Sequence, residues 1–141
     1  MTEPRRHFHD ELKTLEQELV LMAGMAERAV GKAVDALVTD DGALAEDVVA
    51  ADADIDEKYL LIHQKWLETM AVQTPVASDL RLRSSVLHLL VTLERMGDQA
   101  VNIAKVVRSI EGHAREPMIL EHLREMGDLV QPMVRTALEA F

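Results

Sequence analysis

Residues 82–110 read LRSSVLHLLVTLERMGDQAVNIAKVVRSI, and this stretch decides the fold. Its apolar residues recur at alternating spacings of four and three, which is the pattern of a helix that buries one face in a bundle. The pattern runs through the following residues: Leu82, Val86, Leu89, Leu93, Met96, Ala100, Ile103, Val107 and Ile110. It predicts one long helix over about residues 76–110.

Two earlier stretches carry the same periodicity. The first stripe contains Phe8, Leu12, Leu15, Leu19, Met22, Ala26, Ala29, Ala33 and Ala36, and the second contains Leu44, Val48, Ala51, Ile55, Tyr59, Ile62 and Trp66. Turn residues separate the three stretches at Thr39–Gly42 and at Gln73–Pro75. The sequence therefore predicts helices at about residues 5–38, 42–71 and 76–110, packed as an antiparallel three-helix bundle. The fold class is all-α.

A fourth helical pattern begins near Met118 and is still running at Phe141. Residues 126–141 align with residues 22–37, pairing Met22 with Met126 and Val30 with Val134. This similarity suggests an internal repeat. We expect residues 1–112 to form one complete three-helix unit, and residues 113–141 to form a linker and the opening helix of a second, incomplete unit.

Composition excludes several classes of function. The chain has 141 residues, a net charge of −10 and no cysteine. A nucleic-acid backbone or an anionic membrane surface would require a basic face, and the sequence has no cluster of Lys and Arg. No apolar run approaches the ~20 residues that cross a bilayer. We expect a cytoplasmic protein that neither inserts into a membrane nor binds nucleic acid.

Two acidic pairs occupy equivalent places on the second and third predicted helices. Glu94 and Asp98 lie one helical turn apart, as do Asp52 and Asp56. If the two helices turn back on each other at Pro75, residue 52 lies level with 98 and residue 56 with 94. Four carboxylates at one level repel each other and provide the hard oxygen ligands that multivalent cations use. This arrangement predicts a metal site.

Other side chains are weaker candidates for this site. Glu27 falls at the height of Asp54 by the same reasoning, which makes it a candidate fifth ligand. Asn102 lies one turn beyond Asp98, where it would support the site from its edge. His63 is expected to be a half-exposed structural histidine. The alternative is that all these acids form a solvated face, neutralised in part by Arg28 and Arg95.

Three segments resemble the signatures of the PhoU family of phosphate-uptake regulators. They are ADADIDEKY at residues 51–59, QTPVASDLRL at residues 73–82 and LERMGDQAVNIAK at residues 93–105. The resemblance covers nearly the whole chain. It implies a cytoplasmic regulator that restrains phosphate-starvation signalling and acts with the ATPase of a phosphate ABC transporter and a sensor histidine kinase. It also implies binding of divalent or trivalent ions, such as iron, zinc, manganese or magnesium, at the (D/E)xxxD pairs.

Two other classes of function stay open at this point. A ferritin-like metalloenzyme also uses carboxylates from facing helices, but its Glu-x-x-His ligand motif does not occur in this sequence. A purely structural helical adaptor would need no metal at all. We therefore predict a protein that is not an enzyme, with no catalytic residues.

The fourth predicted helix leads to an expectation about the oligomeric state. Its apolar face contains Leu123, Met126, Leu129, Val130, Met133, Val134 and Leu138, and no second bundle follows to cover it. We expect this face to pack on another copy of the chain, which predicts a homodimer or a larger homo-oligomer.

Overall fold

The computed structural model describes residues 3–72 and 77–140 and contains four helices within these ranges. They are α1 (Glu3–Thr39), α2 (Gly42–Val72), α3 (Ala77–Ser109) and α4 (Pro117–Ala140). The predicted all-α class and the helix positions are confirmed. The turn predicted at Gln73–Pro75, and the side chains of Phe8 and Leu82, lie outside what the structure describes.

Helices α1, α2 and α3 pack on one another as a three-helix bundle. Its core contains most of the predicted stripes, together with Ala45, Leu90 and Ala104, which the stripes did not include. The described stripe residues of α1 are all buried, from Leu12 to Ala36, and Ile55, Ile62, Val86, Leu93 and Ala100 fill the facing positions on α2 and α3. Ala51 is the exception, since it is exposed. It lines a small cleft with Ala29, and two opposed alanines are too short to close the space between their helices.

The connection between α1 and α2 is a tight turn. Asp40 adopts a left-handed backbone conformation with φ of 60°, which ends α1. Asp41 then caps α2, because its carboxylate accepts a hydrogen bond of 2.9 Å from the backbone N–H of Leu44. This short turn makes α1 and α2 antiparallel neighbours.

Helix α4 packs on α1 of its own chain, and among the described residues it contacts none of the other helices. Gly127 is buried there, and a Cβ at this position would lie 2.9 Å from a methyl carbon of Val34. Val134 of α4 is also buried, opposite a second buried face of α1 that contains Ala23, Val30 and Leu37. Helix α1 of the same chain therefore covers part of the apolar face of α4, and Met126, Leu129 and Met133 stay exposed.

Arginines fix α4 and the preceding linker to α1. Arg115 donates to the backbone carbonyl of Leu37 at 2.5 Å and pairs with Asp40. Arg124 reaches Asp35 at 3.2 Å. These contacts hold the linker against the carboxyl end of α1, where a positive charge is favourable.

The contacts between α1 and α4 have an approximate two-fold arrangement. Glu27 contacts Arg135, and Gly31 contacts Gln131. In the alignment of the internal repeat, residue 27 corresponds to 131 and residue 31 corresponds to 135, so each contact is the counterpart of the other. Two equivalent helices that cross at a two-fold axis produce this pattern.

Candidate functional site

The acidic site lies at a close contact between α2 and α3. Gly97 of α3 is buried against α2, and a Cβ at this position would lie 3.2 Å both from Oδ1 of Asp52 and from Cδ1 of Ile55. The contact of residue 97 with residues 52 and 55 agrees with the register predicted from the turn. A glycine at this position therefore lets the backbone of α3 approach the carboxylate of Asp52 directly.

All four predicted carboxylates share one electrostatic environment. Burial raises the pKa of Asp52 above its ordinary value of 3.8, and the charges of Asp56 and Asp98 raise it further. Burial also raises the pKa of Glu94 above 4.5, and Asp98, Asp56 and Asp52 add to this effect. Each pair thus acts on the other across the groove between the helices, as the predicted register requires.

Two basic residues partly compensate this negative charge. Lys105 lowers the pKa of Asp52, and Arg95 lowers the pKa of Glu94, but neither outweighs burial and repulsion. Arg95 was expected from the sequence to act in this way, whereas Lys105 was missed. Lys105 lies two turns beyond Asp98 on α3, and its i+7 spacing was the available signal. The groove therefore keeps an excess of negative charge.

The donor atoms fit a hard multivalent cation, since they are all carboxylate oxygens. The positions of these side chains are not those of ligands around a bound ion. Within residues 3–72 and 77–140, no three acidic or histidine side chains form a group compact enough to hold a metal. Mutual repulsion favours such a spread, because like charges move apart when no cation lies between them. A cation would have to draw the side chains together by rotation.

The two weaker candidates occupy different surroundings. Glu27 faces α4, where its Oε1 accepts hydrogen bonds from Nε of Arg135 at 2.9 Å and from Nη2 at 2.6 Å. The structure does not bring it together with the four acids. Asn102 is exposed on α3, one turn beyond Asp98. His63 is half-buried, and its ring stacks between Tyr59 and Trp66 with centroid distances of 5.8 and 6.3 Å.

Similarity to known proteins gives the family. The PhoU domain model matches residues 19–107, which contain most of α1 and all of α2 and both acidic pairs. This chain belongs to the PhoU family. The resemblance predicted from the three sequence segments is therefore confirmed.

Individual PhoU proteins match nearly the whole chain. A phosphate-specific transport system accessory protein PhoU homolog of Pseudomonas putida is 35% identical over 136 residues, which cover 96% of this chain and 53% of that protein. The corresponding homolog of Clostridium acetobutylicum is 33% identical and covers 97% and 63%. The crystal structure of PhoU from Pseudomonas aeruginosa superposes with a TM-score of 0.88 at 34% identity and covers 95% and 64%. The chain thus spans between about half and just under two thirds of these relatives.

The described part of this PhoU-family chain contains no helix with the length and apolar character needed to cross a membrane.

The raised pKa values make stability depend on pH. A carboxyl group whose pKa is higher in the folded chain than in the unfolded chain binds its proton more tightly when folded, so stability falls as the pH rises from its ordinary pKa through the folded one. For Asp52 this window begins near its ordinary value of 3.8. We expect Asp52→Asn to raise the melting temperature at pH 7, by an increment that shrinks as the pH falls towards 4.

Thermal melting over this pH range, in buffer that contains a chelator, measures the effect. Asp47→Asn is the matched control, because it removes an exposed acid from the same helix. An Asp52→Asn protein that melts below the parent at pH 7 would show that Asp52 stabilises the fold instead of opposing it.

Proposed function

We propose that this chain is a regulator of phosphate uptake that restrains phosphate-starvation signalling. The observation that carries the proposal is membership of the PhoU family, together with relatives named as accessory proteins of the phosphate-specific transport system. We infer that it acts in the cytoplasm, with the ATPase of a phosphate ABC transporter and a sensor histidine kinase as partners. On this proposal it works by binding and not by catalysis.

The regulatory role has a direct test in the source organism. Deletion of the gene should derepress phosphate-starvation genes while phosphate is abundant, because a restraint on the signal has been removed. Transcript levels of a phosphate-scavenging gene measure this, with re-expression of the intact gene as the control. Unchanged transcripts in high phosphate would overturn the role.

Metal binding at the groove between α2 and α3 is the second part of the proposal. Asp52, Asp56, Glu94 and Asp98 would hold one or more ions of iron, zinc, manganese or magnesium, with Asn102 at the edge. Burial raises the pKa values of Asp52 and Glu94 and repulsion between the acids adds to it; this repulsion supports the proposal, since a cation would relieve it. Glu27 could join only by releasing Arg135. A bound cation would supply positive charge that fixes α2 relative to α3.

Loss of the acids should abolish stabilisation by metal. An ion that binds only the folded chain adds about 2.7 kcal/mol to the free energy of unfolding at a hundredfold excess over its Kd. We expect Glu94→Gln combined with Asp98→Asn to remove this increment and to leave the helix content intact, because both positions border the core.

The measurement is the shift in melting temperature on adding iron, manganese, zinc or magnesium to protein purified without affinity tags. The control pair is Glu125→Gln with Asp128→Asn, which removes the same charge from exposed positions on α4. If the site variant and the parent shift equally with every metal, the acids form only a solvated face and the chain is an adaptor without a metal site.

Self-association through α4 is the third part. Met126 and Met133 are 62% and 67% exposed, although Met22 and Ala29, their counterparts in the internal repeat, are buried in the core. An apolar face with the pattern of a core stripe favours burial against another surface.

We expect the 141-residue chain to form a homodimer or larger oligomer, and Met133→Glu to weaken this association. Light scattering over a concentration series measures this, and a parent protein that stays monomeric at high concentration would contradict it.

A further inference from the structure

The outward face of α2 is apolar where a solvent-facing helix is normally polar. Val49, Leu60 and Leu67 are 40%, 64% and 49% exposed, and their spacings of eleven and seven residues place them along one side of the helix. Ala53 lies on the same side and is also exposed. Single exposed apolar residues are common on protein surfaces, whereas aligned ones mark an interaction surface.

Open clefts flank this face at both ends. At the Val49 end, a cleft of about 400 Å³ lies between α2 and α3 and is lined by Ala45, Ala50 and Ala104. At the Leu60 end, a cleft of about 570 Å³ lies between α2 and α1 and is lined by Met25 and Leu61 as well. Because the clefts lie on opposite sides of α2, an elongated partner that reaches both must cross the helix at an angle.

The dimensions suit a short helix. Val49 and Leu60 are eleven residues apart, which is about 16 Å along α2 at 1.5 Å per residue. Helices in globular proteins commonly cross at about 50°. A helix of about 18 residues in that orientation would place one large apolar side chain in each cleft, as anchoring residues do in protein interfaces.

The charge between the two clefts is negative. Residues 33–57 contain nine acidic residues and no Lys or Arg. Asp56 is exposed between the clefts, and Asp54 and Glu57 line the cleft at the Leu60 end. Two basic groups at the rims have acidic partners, since Arg108 contacts Glu46 at 2.8 Å and Lys58 contacts Glu18 at 2.7 Å. A third, Lys105, lines the cleft at the Val49 end and lowers the pKa of Asp52. Arg28 and Lys32 lie farther along the α1 side, in the adjoining cleft that Asp54 also lines.

We propose that the outward face of α2, from Val49 to Leu67, is a docking surface for a basic amphipathic helix of a partner protein. The partner helix lays its apolar side on Val49, Ala53 and Leu60 and places Lys or Arg over Asp56 and Glu57. This inference rests on the proposed regulatory function for its biological setting. The positions varied in its test, Leu60 and Glu57, lie outside the four-carboxylate site, so the surface and the metal site are tested separately.

A synthetic helical peptide of about 18 residues, with leucines on one side and lysines on the flanks, is the probe. Fluorescence anisotropy of the labelled peptide measures its binding to the full chain. We expect saturable binding to the parent, and Leu60→Asp should weaken it about tenfold or more because it puts a charge on the apolar contact. Val20→Asp is the matched control, since Val20 on α1 is 57% exposed and lies on neither this face nor the apolar face of α4.

A second pair of variants tests the charge. Glu57→Lys should weaken binding and reduce its dependence on salt, whereas Glu125→Lys on α4 should alter neither as much. Circular dichroism shows whether each variant keeps its helix content, and Leu60→Ala replaces Leu60→Asp if the latter does not. Phosphate signalling and metal binding are not read out, so failure here is distinct from failure of the proposed function.

Several results would overturn the proposal. One is the absence of saturable binding to the parent. Another is equal binding of a peptide in which Glu replaces every Lys, because the charge of the surface would then be irrelevant. A third is an equal loss of affinity in Leu60→Asp and Val20→Asp. If light scattering shows that Leu60→Asp dissolves an oligomer of the parent, the face is occupied by a second copy of the chain instead.

Discussion

Close approach to α1 is the constraint on which the other three helices depend. Alanines occupy positions 23, 26, 29, 33 and 36 of this helix, and all are buried. Short side chains reduce the distance between helix axes, so α1 can accept α2 and α3 on one side and α4 on the other. The same short side chains leave space unfilled at Ala29, where the cleft beside Ala51 stays open.

Packing of the core positions the four acidic residues of the groove, and repulsion between their charges destabilises this arrangement. Leu93 of α3 and Ile55 of α2 are buried in the bundle. Glu94 and Asp56 are the next residues along these helices and therefore lie at the edge of the core. Burial and mutual repulsion raise the pKa of Glu94 and of Asp52, so packing elsewhere offsets an arrangement that is unfavourable by itself. Local conflict of this kind, within a fold that is otherwise consistent, is typical of functional sites.

The sequence predicted the parts of the structure that depend on periodicity and on short connections. The four helices, the antiparallel register of α2 and α3 and the proximity of Asp52 to Asp98 all follow from these two features. The packing of α4 did not follow, because a linker joins it to α3 and its neighbour is α1, a contact between segments far apart in the chain.

The ion pair of Glu27 did not follow from the sequence for the same reason. The direction of the Glu27 side chain depends on Arg135, a residue 108 positions later. The signal was present in the spacing of Arg124 and Arg135, which places both on one side of α4 opposite Asp35 and Glu27. Ionic complementarity between distant helices could have suggested the pairing. The rotation of each carboxylate in the groove follows from no sequence pattern, since it depends on the balance of repulsion and packing around each side chain.

Attachment of α4 through one neighbour alone has a consequence for motion. Among the described residues, α2 and α3 each lose two sets of contacts if they separate from the bundle and α1 loses three, whereas α4 loses one set, its contacts with α1. Opening of α4 is therefore the least costly large fluctuation, and it leaves the bundle closed. Backbone amides of α4 should therefore exchange with solvent deuterium sooner than those of α1. Exchange should be slowest around α1, which the other three helices cover.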